Sequence, residues 1–119
     1  MSEPSHEALT QSIIDMAVEA WRFRGVFKKV LSRLDAGEET RYIGQYNWFY
    51  RKVEVALEKA QLKIVNVEGQ IYDIGMAATP INIDDFDNDD VLFVEQMIEP
   101  IIMDQTKVVK TGTIVLRRE

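Results

Sequence analysis

The sequence has no cysteine and a single histidine, His6. Without thiols there can be no disulfide scaffold, no Cys-ligated zinc or iron–sulfur centre, and no cysteine nucleophile. One histidine near the N-terminus leaves no material for a catalytic triad or a His-rich metal site. Long apolar runs are missing as well: the longest is about four residues, against roughly 20 needed to cross a bilayer. The start, Met1-Ser2-Glu3-Pro4-Ser5-His6-Glu7, lacks the basic segment and apolar core of a secretory signal. No membrane association and a cytoplasmic location are therefore expected. Neither a GxxxxGK[ST] loop nor a GxGxxG motif occurs, so the common nucleotide-binding folds are not supported and no cofactor is expected. What remains is a 119-residue chain with 46% apolar residues, 14 basic and 20 acidic side chains and a net charge of −6. That is enough for one folded domain of ordinary size. Its acidity opposes the long-range attraction that drives nucleic-acid binding.

The charge is unevenly placed. Residues 1–61 carry nine basic and nine acidic side chains, whereas residues 62–119 carry five and eleven, so the whole excess lies in the second half. Periodicity changes at the same point. Leu9, Ile13, Met16, Ala20, Phe23, Phe27, Val30 and Leu34 follow one another at spacings of 4-3-4-3-4-3-4. This is an a/d seam on a helix predicted from about Ser5 to Leu34. Asp35-Ala36-Gly37-Glu38 reads as a break, with Gly37 ending the first helix and Asp35 with Glu38 spaced as a capping box for the next. The second helix, roughly Glu38 to Ala60, repeats the pattern at Tyr42, Tyr46, Phe49, Val53, Ala56 and Ala60. The short connection makes an antiparallel hairpin. A lone hairpin of this length buries too little surface, so a homodimer forming a four-helix bundle is expected. Its interface would be Ile13, Met16, Ala20, Phe23, Phe27, Val30, Tyr46, Phe49 and Val53. Trp48 falls off the seam and is expected to be exposed.

After Gln61 the helical period disappears. Leu62–Val67, Gln70–Asp73, Val91–Ile98, Ile101–Met103 and Lys107–Arg118 read as short strands, with Glu68-Gly69 as a turn. The expected fold class is α+β: a helical hairpin over 1–61, followed by a mostly antiparallel β-domain of four to six strands over 62–119.

Three constellations invite functional readings. Asp84-Asp85-Phe86-Asp87-Asn88-Asp89-Asp90 places oxygen ligands as an EF-hand loop would if it began at Asp85. The obligatory Gly is then Asp90 and the bidentate Glu is Gln96, so no metal site is assigned. A solvated acidic loop is the plainer reading, with a weak cation site as the alternative. Arg22, Arg24, Lys28, Lys29 and Arg33 form a basic run on the first helix. That run fits an acidic protein partner, a solvated helical back, or pairing with the acidic second half. The crowded carboxylates, lacking a nearby histidine, do not make a hydrolase, and no catalytic residue is assigned.

The junction Leu62-Lys63-Ile64-Val65-Asn66-Val67-Glu68-Gly69-Gln70-Ile71-Tyr72-Asp73 resembles that of the GrpE family, the nucleotide exchange factors of DnaK-type heat-shock chaperones. In that family a helix leads into an isoleucine-rich strand and then a Gly-x-x-Phe-Asp-Pro-x-x-His segment that opens a β wing. Gly69, Tyr72 and Asp73 fall on the Gly, aromatic and Asp positions, while Ile74 replaces the Pro and Ala77 the His. Val91–Met103 and Lys110–Val115 are similar to the closing strands of the wing. The likeness spans about residues 26–118, without the family's long N-terminal stalk and with Asp84–Asp90 as an acidic insertion. It implies a non-enzymatic co-chaperone that dimerises through a four-helix bundle, binds the ATPase domain of a DnaK-type chaperone and promotes ADP release. It also implies a contact surface at Tyr72, Asp73, Met76, Met97, Ile98, Pro100 and Lys110. An adaptor of the same architecture without exchange activity is the alternative.

Overall fold

The structure is a computed structural model and describes residues 3–119. The chain has an α+β fold and divides into two compact units, Met1–Lys63 and Ile64–Glu119.

The first unit is the helical hairpin. Helix α1 runs His6–Leu31 and α2 runs Ala36–Lys59. Ser5 caps α1, its hydroxyl accepting from the Ala8 N–H at 3.0 Å. Asp35 caps α2, its carboxylate accepting from the Glu38 N–H at 2.9 Å. Each cap satisfies an otherwise orphaned donor and is worth about 1 kcal/mol. The first helix stops three residues earlier than its apolar pattern. Gly37 does not end it, because Gly37 already lies in the first turn of α2. Ser32 closes α1 instead, its N–H donating to the Lys28 carbonyl. The helices run antiparallel, as the order of ring contacts shows: Trp21 with Tyr50, Phe23 with Phe49, and Phe27 with Tyr46, at centroid separations of 6.0 to 6.3 Å.

The end of α2 is a Schellman turn. Leu62 N–H donates to Leu57 O at 2.9 Å and Gln61 N–H to Glu58 O at 2.9 Å. Leu57 and Leu62, the apolar pair that accompanies this motif, are both buried. Gln61 therefore sits at a φ of 61°, a left-handed conformation that suits glycine. Gln61→Gly is expected to raise stability by about 0.5–1 kcal/mol, visible as a higher urea midpoint. An unchanged or lower midpoint would show that the turn carries no strain.

Among the described residues the second part of the chain has six strands in two three-stranded sheets. They are β1 (Lys63–Val65), β2 (Ala78–Pro80), β3 (Leu92–Glu99), β4 (Ile101–Met103), β5 (Val108–Lys110) and β6 (Gly112–Arg118). One sheet is ordered β1-β4-β5 and the other β2-β6-β3. The segment 101–118 does not form two continuous strands in one sheet. Pro100 interrupts one side of the long antiparallel ribbon and Thr111 the other, so its far half, β4 with β5, joins β1 while its near half, β3 with β6, joins β2. At the crossing, a Cβ on Gly112 would lie 2.8 Å from Ile101 Cγ1 and 2.9 Å from the Glu99 carbonyl oxygen. Only glycine allows that approach. Strand β2 runs parallel to β6, pairing Ala78 with Gly112 and Pro80 with Ile114. Beyond it Asn82 stands in for a strand backbone: its side-chain amide donates to Leu116 O and accepts from Leu116 N–H, both at 2.9 Å. The core of this unit is Leu92, Val94, Met97, Ile101, Ile102, Ile114 and Leu116.

The ribbon closes at Asp104, whose carboxylate accepts from the Thr106 and Lys107 N–H groups, both at 2.8 Å. Those two hydrogen bonds hold its carboxyl below the usual range.

Candidate partner-binding surfaces

The seven residues expected to meet a chaperone do not share one surface. Tyr72 is half-buried and its N–H donates to Leu92 O at 2.8 Å, fastening the segment 69–72 beside β3. Ile71 pairs with Phe93 in the same segment. Asp73 is exposed and closes a tight turn, accepting from the Gly75 N–H at 2.8 Å. Met76, Ile98 and Lys110 are half-buried, and the Lys110 ammonium lies 3.8 Å from Glu99 Oε1.

Met97 and Pro100 belong to the core and offer no surface to a partner; Met97 is only 1% exposed. For Met97 the reason is a bulge. Simple alternation from Val94 would put Gln96 inside and Met97 outside. The register against β6 shifts between Val94 and Gln96, and again between Met97 and Glu99. One extra residue inverts the faces. The Glu68 carboxylate takes up a bulge donor, accepting from the Met97 N–H at 2.9 Å.

Sequence reasoning missed Ile74. It is 91% exposed at the tip of the Asp73–Gly75 turn. The signal was the Asp-x-Gly spacing, which turns the chain and leaves the middle side chain in solvent. Ile71, Ile83 and Val91 are exposed too. Topology brings them to one end of the β2-β6-β3 sheet, because Ile71 pairs with Phe93, Leu92 with Arg118, and Asn82 with Leu116. The acidic stretch connects Ile83 to Val91 and so lies at that same end.

That stretch is held by one of its own carboxylates. Asp90 Oδ2 accepts from the Asp87 N–H at 2.9 Å and lies 3.0 Å from Arg118 Nη2. The Asp87 hydrogen bond, assisted by Arg118, keeps the Asp90 carboxyl below its ordinary value of 3.8. A lowered carboxyl contributes stability that is complete above the unfolded value and lost as pH falls through the folded one. Asp90→Asn is therefore expected to flatten the acid limb of the stability profile below about pH 4, followed by circular dichroism during acid titration. An unaltered limb would show that this contact does not order the loop. Among the described residues, no three His, Cys, Asp or Glu side chains are grouped to hold a metal ion. The cation-site alternative draws no support from the geometry.

On the hairpin, the seam residues split into two sets. Leu9, Met16, Phe23 and Val30, seven apart, are 52%, 74%, 54% and 47% exposed. Ile13, Ala20 and Phe27, between them, are half-buried, as are Tyr46 and Val53 on α2, while Phe49 is exposed. The buried residues of α1 lie one step around the helix, at Ile14, Ala17, Val18, Trp21 and Leu31. Between α1 and α2 runs an open groove of about 690 Å³, floored by Ile13, Ala20, Val53 and Ala56 and walled by Met16 and Phe23. Trp48 is exposed as expected, with the Lys52 ammonium 5.6 Å from its ring. No described helix is long and apolar enough to cross a membrane.

No protein-family model, curated protein or solved structure matches the chain.

Proposed function

We propose that this chain is a GrpE-like co-chaperone: a cytoplasmic homodimer that binds the ATPase domain of a DnaK-type chaperone and promotes ADP release without catalysis of its own. The observation that carries the reading is the junction. A helical hairpin passes through Leu62–Asp73 directly into a β unit, and Gly69, on the family's glycine position, has a φ of 84° that only glycine adopts freely. Two further features agree with it. The hairpin leaves an apolar face open, as a dimerising stem requires. The β unit gathers exposed aliphatic side chains among carboxylates at one sheet end, as a docking surface requires.

Binding of this kind shifts a two-state equilibrium. A factor with higher affinity for the open nucleotide cleft than for the closed one populates the open state in proportion to that difference. A preference of about 1.4 kcal/mol raises the open-to-closed ratio tenfold. With Met97 and Pro100 internal, the contact centres on Ile74, Asp73 and the half-buried Tyr72 and Met76.

The test is release of a fluorescent ADP analogue from a bacterial DnaK-type ATPase domain. The protein is expected to accelerate release at least tenfold, and Ile74→Asp to abolish most of that gain while leaving the circular dichroism spectrum unchanged. Binding without acceleration would replace this reading with the adaptor. Absence of binding to any DnaK-type chaperone tried would remove both.

A further inference from the structure

We infer that the outward face of the β2-β6-β3 sheet, at the end where Ile71, Ile83 and Val91 gather, binds a basic segment of a partner protein. That segment would carry an aliphatic or aromatic anchor flanked by Lys or Arg. The inference goes beyond the co-chaperone reading, because it holds for whichever protein supplies the segment.

Strand register builds the face. Leu92, Val94, Ile114 and Leu116 are buried, so Phe93 and Val115, which alternate with them, turn to the opposite side. Ile71 pairs with Phe93 and shares its side. Ile81, one residue beyond the Pro80–Ile114 pair, comes level with Val115. An apolar row therefore crosses the sheet from Ile71 through Phe93 and Val115 to Ile81. Phe93 and Val115 are half-buried, whereas Ile71 and Ile81 are 60% and 61% exposed. Val91 precedes the Leu92–Arg118 pair and Ile83 follows the Asn82–Leu116 contact, so both border the row, and both are exposed. Aliphatic side chains gathered in this way mark an interaction surface; scattered ones do not. The backbone beneath them is fixed. The N–H groups of Gly69 and Tyr72 donate to Val94 O and Leu92 O, both at 2.8 Å, and that of Ile81 to Ile114 O at 3.0 Å. Little ordering cost is then left to binding.

Charge selects the occupant. Residues 64–106 contain ten acidic side chains and no Lys, Arg or His. Strand β6 brings Arg117 and Arg118 to this end, and both are engaged. Arg118 lies 3.0 Å from Asp90, and the Arg117 guanidinium sits over the Phe93 ring at 5.2 Å. Asp84, Asp85, Asp87 and Asp89, in the loop from Ile83 to Val91, stay exposed and form no ion pair among the described residues. A second copy of the chain would bring the same carboxylates and be repelled, as would nucleic acid or an anionic membrane. A bare metal ion finds no group of three ligands among the described residues. A basic protein segment answers both features at once, its anchor covering the row and its cations meeting the carboxylates.

The full chain, isotope-labelled, is to be titrated by NMR with a short peptide of leucines flanked by lysines, and with the same peptide carrying glutamate for lysine. The lysine peptide is expected to bind about tenfold more tightly than its counterpart, shifting the amide signals of Ile71, Ile81 and Val91. Ile71→Ser, and the double variant Asp85→Asn with Asp87→Asn, are each expected to weaken it about fivefold. Both change exposed side chains, so the circular dichroism spectrum is expected to match the parent chain. Absence of binding, equal affinity for the two peptides, or shifts confined to the hairpin would each overturn the inference. So would a charge variant that weakens binding while Ile71→Ser does not, because that is attraction to acid without an apolar site. Release of ADP from a DnaK-type ATPase domain is a separate readout. Failure there removes the co-chaperone and leaves this face to be decided by the peptides.

Discussion

Gly112→Val is expected to lower the stability of the β unit by about 3 kcal/mol or more. A Cβ at this position meets Ile101 Cγ1 at 2.8 Å and the Glu99 carbonyl oxygen at 2.9 Å, and the Ile101 backbone nitrogen is 3.3 Å away. A flexible side-chain end could turn aside, but two of these three neighbours are backbone. They sit where the ribbon leaves one sheet for the other, so neither strand can retreat without breaking its pairing. Overpacking of that kind forces the backbone to move, and in a small unit with stability in the range of 5–15 kcal/mol the loss is a large fraction. Amide hydrogen exchange reads the unit directly. Faster exchange throughout β3 and β6 is the expected result, and protection equal to the parent chain would mean that the crossing tolerates a side chain.

Phe23→Asp is expected to convert the proposed homodimer into a monomer, with the dissociation constant rising at least a hundredfold. Phe23 stacks on Phe27 at 5.6 Å and meets Phe49 edge-on at 6.3 Å, yet keeps 54% of its surface in solvent. A carboxylate there remains hydrated in the monomer. Across a dimer interface it would be stripped of water with no apolar contact in return. Met16→Glu is the gentler companion, because Met16 is the most exposed member of the stripe. Light scattering reads the mass and circular dichroism the helix content. If both variants stay folded at the mass of the parent, the stripe is not a subunit interface.

Much of the helical half was legible because its signals are local. The Asp35 cap and the antiparallel hairpin follow from signals a few residues apart. The seam did not mark the most buried face of α1, which lies one step around the helix at Ile14, Ala17, Val18, Trp21 and Leu31, nor did it show that its alternate members differ. Leu9, Met16, Phe23 and Val30 turn outward and Ile13, Ala20 and Phe27 partly inward, since one neighbouring helix covers only one side of a stripe.

The β half was less legible because its determinants are far apart in the chain. Ala78-Thr79-Pro80 has neither length nor alternation to mark it as a strand; it is one only because β6 supplies partners from Gly112 onward. The bulge that turns Met97 inward has no signature within β3, and its stabilising acceptor is Glu68, 29 residues earlier. Lys107–Arg118 read as one strand because nothing local distinguishes Gly112 from an ordinary weak point. Only the proximity of Glu99 and Ile101 shows why a side chain is excluded there. Of the contact residues taken from the GrpE resemblance, the two that proved internal are those fixed by this bulge and by the strand crossing.

The position of β6 has a consequence for biosynthesis. It is the middle strand of its sheet, flanked by β2 and β3, yet it is made after both. A nascent chain emerging from the ribosome can wind its helices from contacts between near neighbours. Leu92, Val94 and Met97, however, must wait in solvent until residues 112–118 have been added. During that interval two strand edges and a row of aliphatic side chains are uncovered, so the newly synthesised protein would itself be a substrate for chaperone holding.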